Sequence, residues 1–107
     1  LFPQDPPMFM ARTPHGYHDV ARIRDELTAA GFSVISAETV DQRSKAASPR
    51  DVAVAYCQGT PLRNEIEAPD ASLLEKATEI AADALAHRFG SGPIDGLIRA
   101  HVLTARN

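Results

Sequence analysis

The chain has 107 residues and a mass of 11.5 kDa, the length of one domain or of a piece of one. A net charge of -3 argues against a nucleic-acid footprint, and no apolar run approaches the roughly 20 residues that span a bilayer. Hydrophobic residues make up 44%, but 18 of the 47 are alanine, so the chain has little bulk with which to build a core.

Residues 1–14 carry four of the eight prolines, Pro3, Pro6, Pro7 and Pro14, which predicts an irregular lead-in. Met8, Phe9 and Met10 within it are apolar enough to dock on something, with a short edge strand as one form. Asp19 then stands as a helix cap before Val20, Ile23, Leu27 and Ala30, which fall on one face of a helix that Gly31 stops. Residues 32–40 are β-branched and aromatic with partial alternation and predict a strand. The polar stretch 41–47 reads as a loop.

Ser48, Pro49 and Asp51 give a hydroxyl cap, a proline in the first turn and an acid at its third position. They start a helix reaching about Gln58, with Val52, Ala53, Ala55 and Tyr56 on its apolar side and Gly59 ending it. Thr60 and Pro61 repeat the start signal for a short helix that Pro69 breaks. The longest helix is expected from about 71 to 89, capped by Asp70, burying Leu73, Leu74, Ala77, Ile80, Ala81, Ala84 and Leu85 and stopping at Gly90. Residues 94–105 alternate as a final strand. Two strands are marginal by themselves; they pair with each other under the helices or await strands supplied elsewhere.

Few residues here announce chemistry. Gly90, Gly92 and Gly96 have the composition of a phosphate loop in the wrong context, with a helix before and a strand after. His15 and His18 flank Gly16 and Tyr17 in the densest polar cluster. A metal site needs three or four ligands, and the remaining soft donors, Cys57, His87 and His101, are distant in sequence, so none is assigned. The cluster is either a turn leading into a helix or a substrate-facing loop. Cys57 reads as a small buried hydrophobe, and as a lone cysteine it points to a reducing, cytoplasmic setting. Arg63 and Glu65 read as a solvated face or a local ion pair, with Arg63 also able to hold a carboxylate. His101 reads as a half-buried, hydrogen-bonded imidazole. The residues alone describe a soluble α+β piece without a self-contained active site.

Three strings carry a resemblance: Pro14-His15-Gly16-Tyr17-His18-Asp19, then Ala30-Gly31-Phe32, then the block from Tyr56-Cys57-Gln58-Gly59-Thr60-Pro61 to Glu67. Together they resemble the C-terminal portion of class I S-adenosylmethionine-dependent methyltransferases, in the subgroup similar to ubiquinone and menaquinone biosynthesis enzymes that act on small molecules. That family has a Rossmann-like sheet of order 3-2-1-4-5-7-6 with the seventh strand antiparallel. The resemblance implies that residues 19–40 are the last core helix and strand 6, 41–93 a helical lid, and 94–107 strand 7. The cofactor-binding half, with its glycine-rich loop, would be missing, so no S-adenosylmethionine is expected on this chain alone, only in the complete enzyme.

Ligands in such sheets lie beyond the carboxyl ends of the strands. The resemblance therefore implies that His15 and His18 are candidate catalytic bases, and that Tyr17, Tyr56, Gln58 and Arg63 contact a small-molecule methyl acceptor. The start at Leu1 inside a proline-rich stretch fits a C-terminal piece, whose missing N-terminal half would be its first partner. An exposed edge on the last strand would also invite a homodimer. The alternative is a non-catalytic binding or dimerisation module on the same scaffold.

Overall fold

The computed structural model describes residues 1–107 and is an α+β fold of five helices and one two-stranded antiparallel sheet. In chain order the elements are α1 (Phe9–Arg12), α2 (Val20–Ala29), β1 (Val34–Ala46), α3 (Pro49–Gly59), α4 (Leu62–Glu67), α5 (Leu73–Phe89) and β2 (Ile94–Arg106). The two strands pair with each other from Val34 opposite Arg106 to Ala46 opposite Ile94. The helical insertion 47–93 therefore joins two neighbouring strands.

Helix boundaries follow the capping chemistry. The Asp19 carboxylate accepts from the Arg22 amide at the start of α2, and the Ser48 hydroxyl accepts from the Asp51 amide at the start of α3. Gly31 and Gly90 stop α2 and α5 at φ 100° and 90°, backbone that costs a side chain dearly. On α2 the half-buried residues are Val20, Ile23 and Leu27, the expected stripe without Ala30.

Several expectations need correction. The lead-in contains the short helix α1 rather than a strand. Its first amides, Met8 and Phe9, donate to the Glu65 carboxylate, so the cap comes from α4 and not from local sequence. The strand does not end at Val40, because residues 41–46, expected as loop, continue β1. Their polar side chains are paired across the sheet: Asp41 takes both Nε (2.7 Å) and Nη2 (3.0 Å) of Arg99, and Arg43 donates to Asp95 at 2.9 Å. On α3 the buried line is Pro49, Ala53 and Cys57, one turn apart each time, while Ala55 and Tyr56 are exposed. On α5 Thr78 is fully buried and Ile80 and Ala84 face solvent. Asp70 accepts from the Ser72 amide in the turn before α5, which begins at Leu73.

The tight core lies in the insertion. Cys57, Ile66 and Ala77 join α3, α4 and α5, with Phe2, Leu62, Leu73, Leu74 and Ala81 packed around them. Phe2 thus ties the lead-in to the same core. By contrast, α2 packs on β1 at the other side of the molecule, and only 7 of 107 residues are buried. No helix is long and apolar enough to cross a membrane.

Candidate functional site

Alternation along the paired strands sorts the sheet into two faces. Thr39, Asp41, Arg99 and His101 share one, and Val40, Ala46, Ile94, Ile98 and Val102 share the other. A concavity of about 630 Å³ opens on the first face between the sheet and the loop before α2. It is lined by Pro14, His15, Tyr17, His18, Ile23, Arg99, Ala100 and His101. The fold thus brings together three of the six residues singled out from sequence, His15, Tyr17 and His18.

The loop is held by backbone as well as by side chains. The His15 amide donates to the Met10 carbonyl at 2.9 Å, folding the loop back on α1. Gly16 is required there, because a Cβ on it would lie 1.5 Å from the Ala11 carbonyl oxygen. The Tyr17 hydroxyl donates to the Glu26 carboxylate, while the Arg22 guanidinium lies 5.8 Å from the centre of the Tyr17 ring and donates to Glu26 at 2.9 Å. The bond to Glu26 pushes the Tyr17 phenol above its ordinary value, and the Tyr17 and Arg22 hydrogen bonds hold the Glu26 carboxyl below its own. Tyr17 is thereby a fixed aromatic wall with its hydroxyl engaged.

Across the concavity, His101 Nδ1 is 3.0 Å from the Thr39 hydroxyl and the ring is half-buried, the mid-strand role its sequence position predicts. Arg99 lies beside it, its guanidinium held by Asp41, whose carboxyl it draws below the usual carboxylate range. Sequence reading did not assign Arg99 to the site. The period-two signal was there, since Arg99 and His101 are two apart on one strand.

The other three residues lie elsewhere. Tyr56 lines a second, mostly apolar groove of about 350 Å³ on the opposite face, where α3 and α5 overhang Ala46, Ile94 and Ile98. Phe89 and Leu85 complete its walls, and Cys57 lies at its base. Burial pushes the Cys57 thiol up, which suits a structural residue and not a nucleophile. Gln58 is spent inside the helical core: its amide donates to the Thr78 hydroxyl at 3.1 Å, and that hydroxyl donates to the Leu74 carbonyl at 2.8 Å. Arg63 is exposed and pairs with Glu67 at 3.2 Å.

The Gly90–Gly96 turn leaves α5 and leads straight into β2, so no helix N-terminus follows it to face a phosphate. These residues do not form a phosphate cradle. No group of three or more His, Cys, Asp or Glu is placed to hold a metal ion. No protein-family model matches the chain, nor does any curated protein or solved structure.

Proposed function

We propose that this chain is the substrate-facing and lid portion of a class I S-adenosylmethionine-dependent small-molecule methyltransferase, with the cofactor-binding half lying outside these 107 residues. The observation that carries the reading is the order helix, strand, helical insertion, antiparallel neighbouring strand, formed by α2, β1, the insertion 47–93 and β2. That is the order expected for the end of such a fold. The setting proposed is the cytoplasm.

The side chains support the roles in outline. Because β1 runs toward Ala46, the insertion rises from its carboxyl end, where ligands of open α/β sheets lie. Substitution at a methyl carbon needs alignment and the exclusion of water. The apolar groove under α3 and α5, with Tyr56 at its rim, lies on the sheet face opposite His15 and His18, so it is a separate surface from the one those imidazoles serve. The loop before α2 supplies imidazoles, the side chains best suited to take a proton near neutrality, at His15 and His18. Tyr17, which lines the same concavity, remains an acceptor-contact residue in the proposal, whereas Gln58 holds α3 against α5 and Arg63 pairs with Glu67 away from that concavity.

The test is single-turnover methylation by the complete polypeptide. His15→Ala and His18→Ala are expected to slow the chemical step by about 100-fold or more where the residue is the base. Unchanged rates in both variants would remove the base role from this loop.

A second reading, a non-catalytic binding or dimerisation module, is favoured by the unpaired edge of β2.

A further inference from the structure

The concavity between the sheet and the loop before α2 differs in charge from the other principal hollows of the molecule. Its walls hold the Arg99 guanidinium and the imidazoles of His15, His18 and His101, and no acid. The hollow beside the lead-in includes Asp5 and Glu65, the one beside α5 includes Glu79 and Asp83, and the apolar groove carries no charge. The acids bonded to or next to the wall residues are already engaged. Asp41 is held by Arg99, Glu26 by Tyr17 and Arg22, and Asp19 by the Arg22 amide.

Two polar groups in the wall have no partner within the chain. Asp41 lies along one edge of the Arg99 guanidinium, taking Nε and one hydrogen of Nη2. The edge made by Nη1 and Nη2 keeps its N–H groups, a fork that matches both oxygens of a second carboxylate. His101 meets Thr39 through Nδ1, and its Nε2 makes no bond. When the Thr39 hydroxyl donates, Nε2 carries the proton and becomes a donor as well. Arg99 and His101 stand two apart on one face of β2, about 7 Å along the strand, so one small group can meet both. Tyr17 adds an aromatic wall whose hydroxyl is occupied, which suits a flat ring.

We infer that this concavity binds a small aromatic carboxylate, its carboxylate held by the open Nη1–Nη2 edge of Arg99 and by His101 Nε2, its ring beside Tyr17. A volume of about 630 Å³ is that of a small-molecule site. The inference names the class of methyl acceptor and rests on the methyl-transfer reading for that role alone, since binding requires no transfer.

Titration of the 107-residue chain with benzoate, followed at the side-chain nitrogen resonances of Arg99 and His101, tests the site. Benzoate is expected to shift both and to place the His101 proton on Nε2. Benzamide keeps the shape without the charge, cyclohexanecarboxylate keeps the charge without the flat ring, and inorganic phosphate has charge alone. Each is expected to bind about tenfold more weakly than benzoate. Arg99→Lys keeps a cation for Asp41, so the sheet persists, which circular dichroism verifies. It has no second edge to offer, and benzoate affinity is expected to fall about tenfold or more. No shift at Arg99 and His101 overturns the inference, as does equal binding of any of the three other ligands or an unchanged affinity in Arg99→Lys. Benzoate binding here, with no S-adenosylmethionine binding by the native polypeptide, would contradict methyl transfer and leave the inference standing. Cofactor binding without benzoate binding would do the reverse.

Discussion

Glu65 receives the amides of Met8 and Phe9 and the guanidinium of Arg12, donors that stand more than fifty positions away in sequence. Sequence reading gives this residue a local ion pair, because nothing near it signals a partner in the lead-in. The Arg12 guanidinium and the Met8 amide hold its carboxyl below the ordinary range. A depressed carboxyl stabilises the docked lead-in at all pH values above the unfolded one and loses that contribution as pH falls through the folded value. Protection of the Met8 and Phe9 amides against exchange is therefore expected to hold at neutral pH and to fall only as pH drops below the ordinary carboxylate range. Glu65→Gln should show the fast exchange already at pH 7. Slow exchange in that variant would show that the carboxylate does not hold α1.

Gly16 belongs to the same assembly. Gly16→Ala is expected to expel the loop from α1 and speed exchange at the His15 amide, while the helices of the insertion stay protected. The pair Gln58 and Thr78 separates structure from ligand contact. Thr78→Val keeps the shape but strands the Gln58 amide, a cost of about 1–2 kcal/mol in urea unfolding. Gln58→Ala should cost about as much, and the double variant less than the sum, with a coupling above about 0.5 kcal/mol. Full additivity would mean the bond contributes nothing, freeing Gln58 for an acceptor.

At the scale of elements, what could be read from sequence was what local chemistry dictates. Asp19 and Ser48 cap the helices they were expected to cap, Gly31 and Gly90 stop theirs, and residues 94–105 show their alternation. The second half of β1 was not legible, because strand signals rely on one apolar face, and from Asp41 to Lys45 neither face is apolar. Those residues hold the strand through charges supplied by β2, information that lies more than fifty residues away. The stripes of α3 and α5 rotated for a related reason. Buried positions are set by which neighbours arrive, and a threonine with both its hydrogen bonds satisfied, Thr78, goes inside more readily than its polarity suggests. The loop of His15, Tyr17 and His18 was legible as a cluster, whereas the partners that β2 brings to it needed the pairing register. Gly90 gives a clean test at this scale. Its φ of 90° and ψ of 166° suit glycine alone, and a Cβ would meet nothing within 4 Å. Gly90→Ala is expected to lower unfolding stability by about 1–3 kcal/mol through backbone strain. An unchanged urea midpoint would contradict the geometry of the turn.

The whole molecule is extended for its length. Its radius of gyration is 17.5 Å, against about 13 Å for a compact domain of this size. The reason lies in its construction. A dense helical core sits at one end of a long two-stranded ribbon, and α2 sits alone on the other face. Leu97, Ile98 and Val102 of β2 stay about half exposed on the two faces of the ribbon. So few buried residues leave the fold a thin margin of stability.

The extended shape and the order of the elements are what the methyl-transfer proposal explains together, and one comparison tests it most directly. S-adenosylmethionine binding is measured by calorimetry on the native polypeptide that carries these residues and on the 107-residue chain alone. The proposal expects micromolar binding by the former and none by the latter. No binding by the native polypeptide, or micromolar binding by the chain alone, would contradict it.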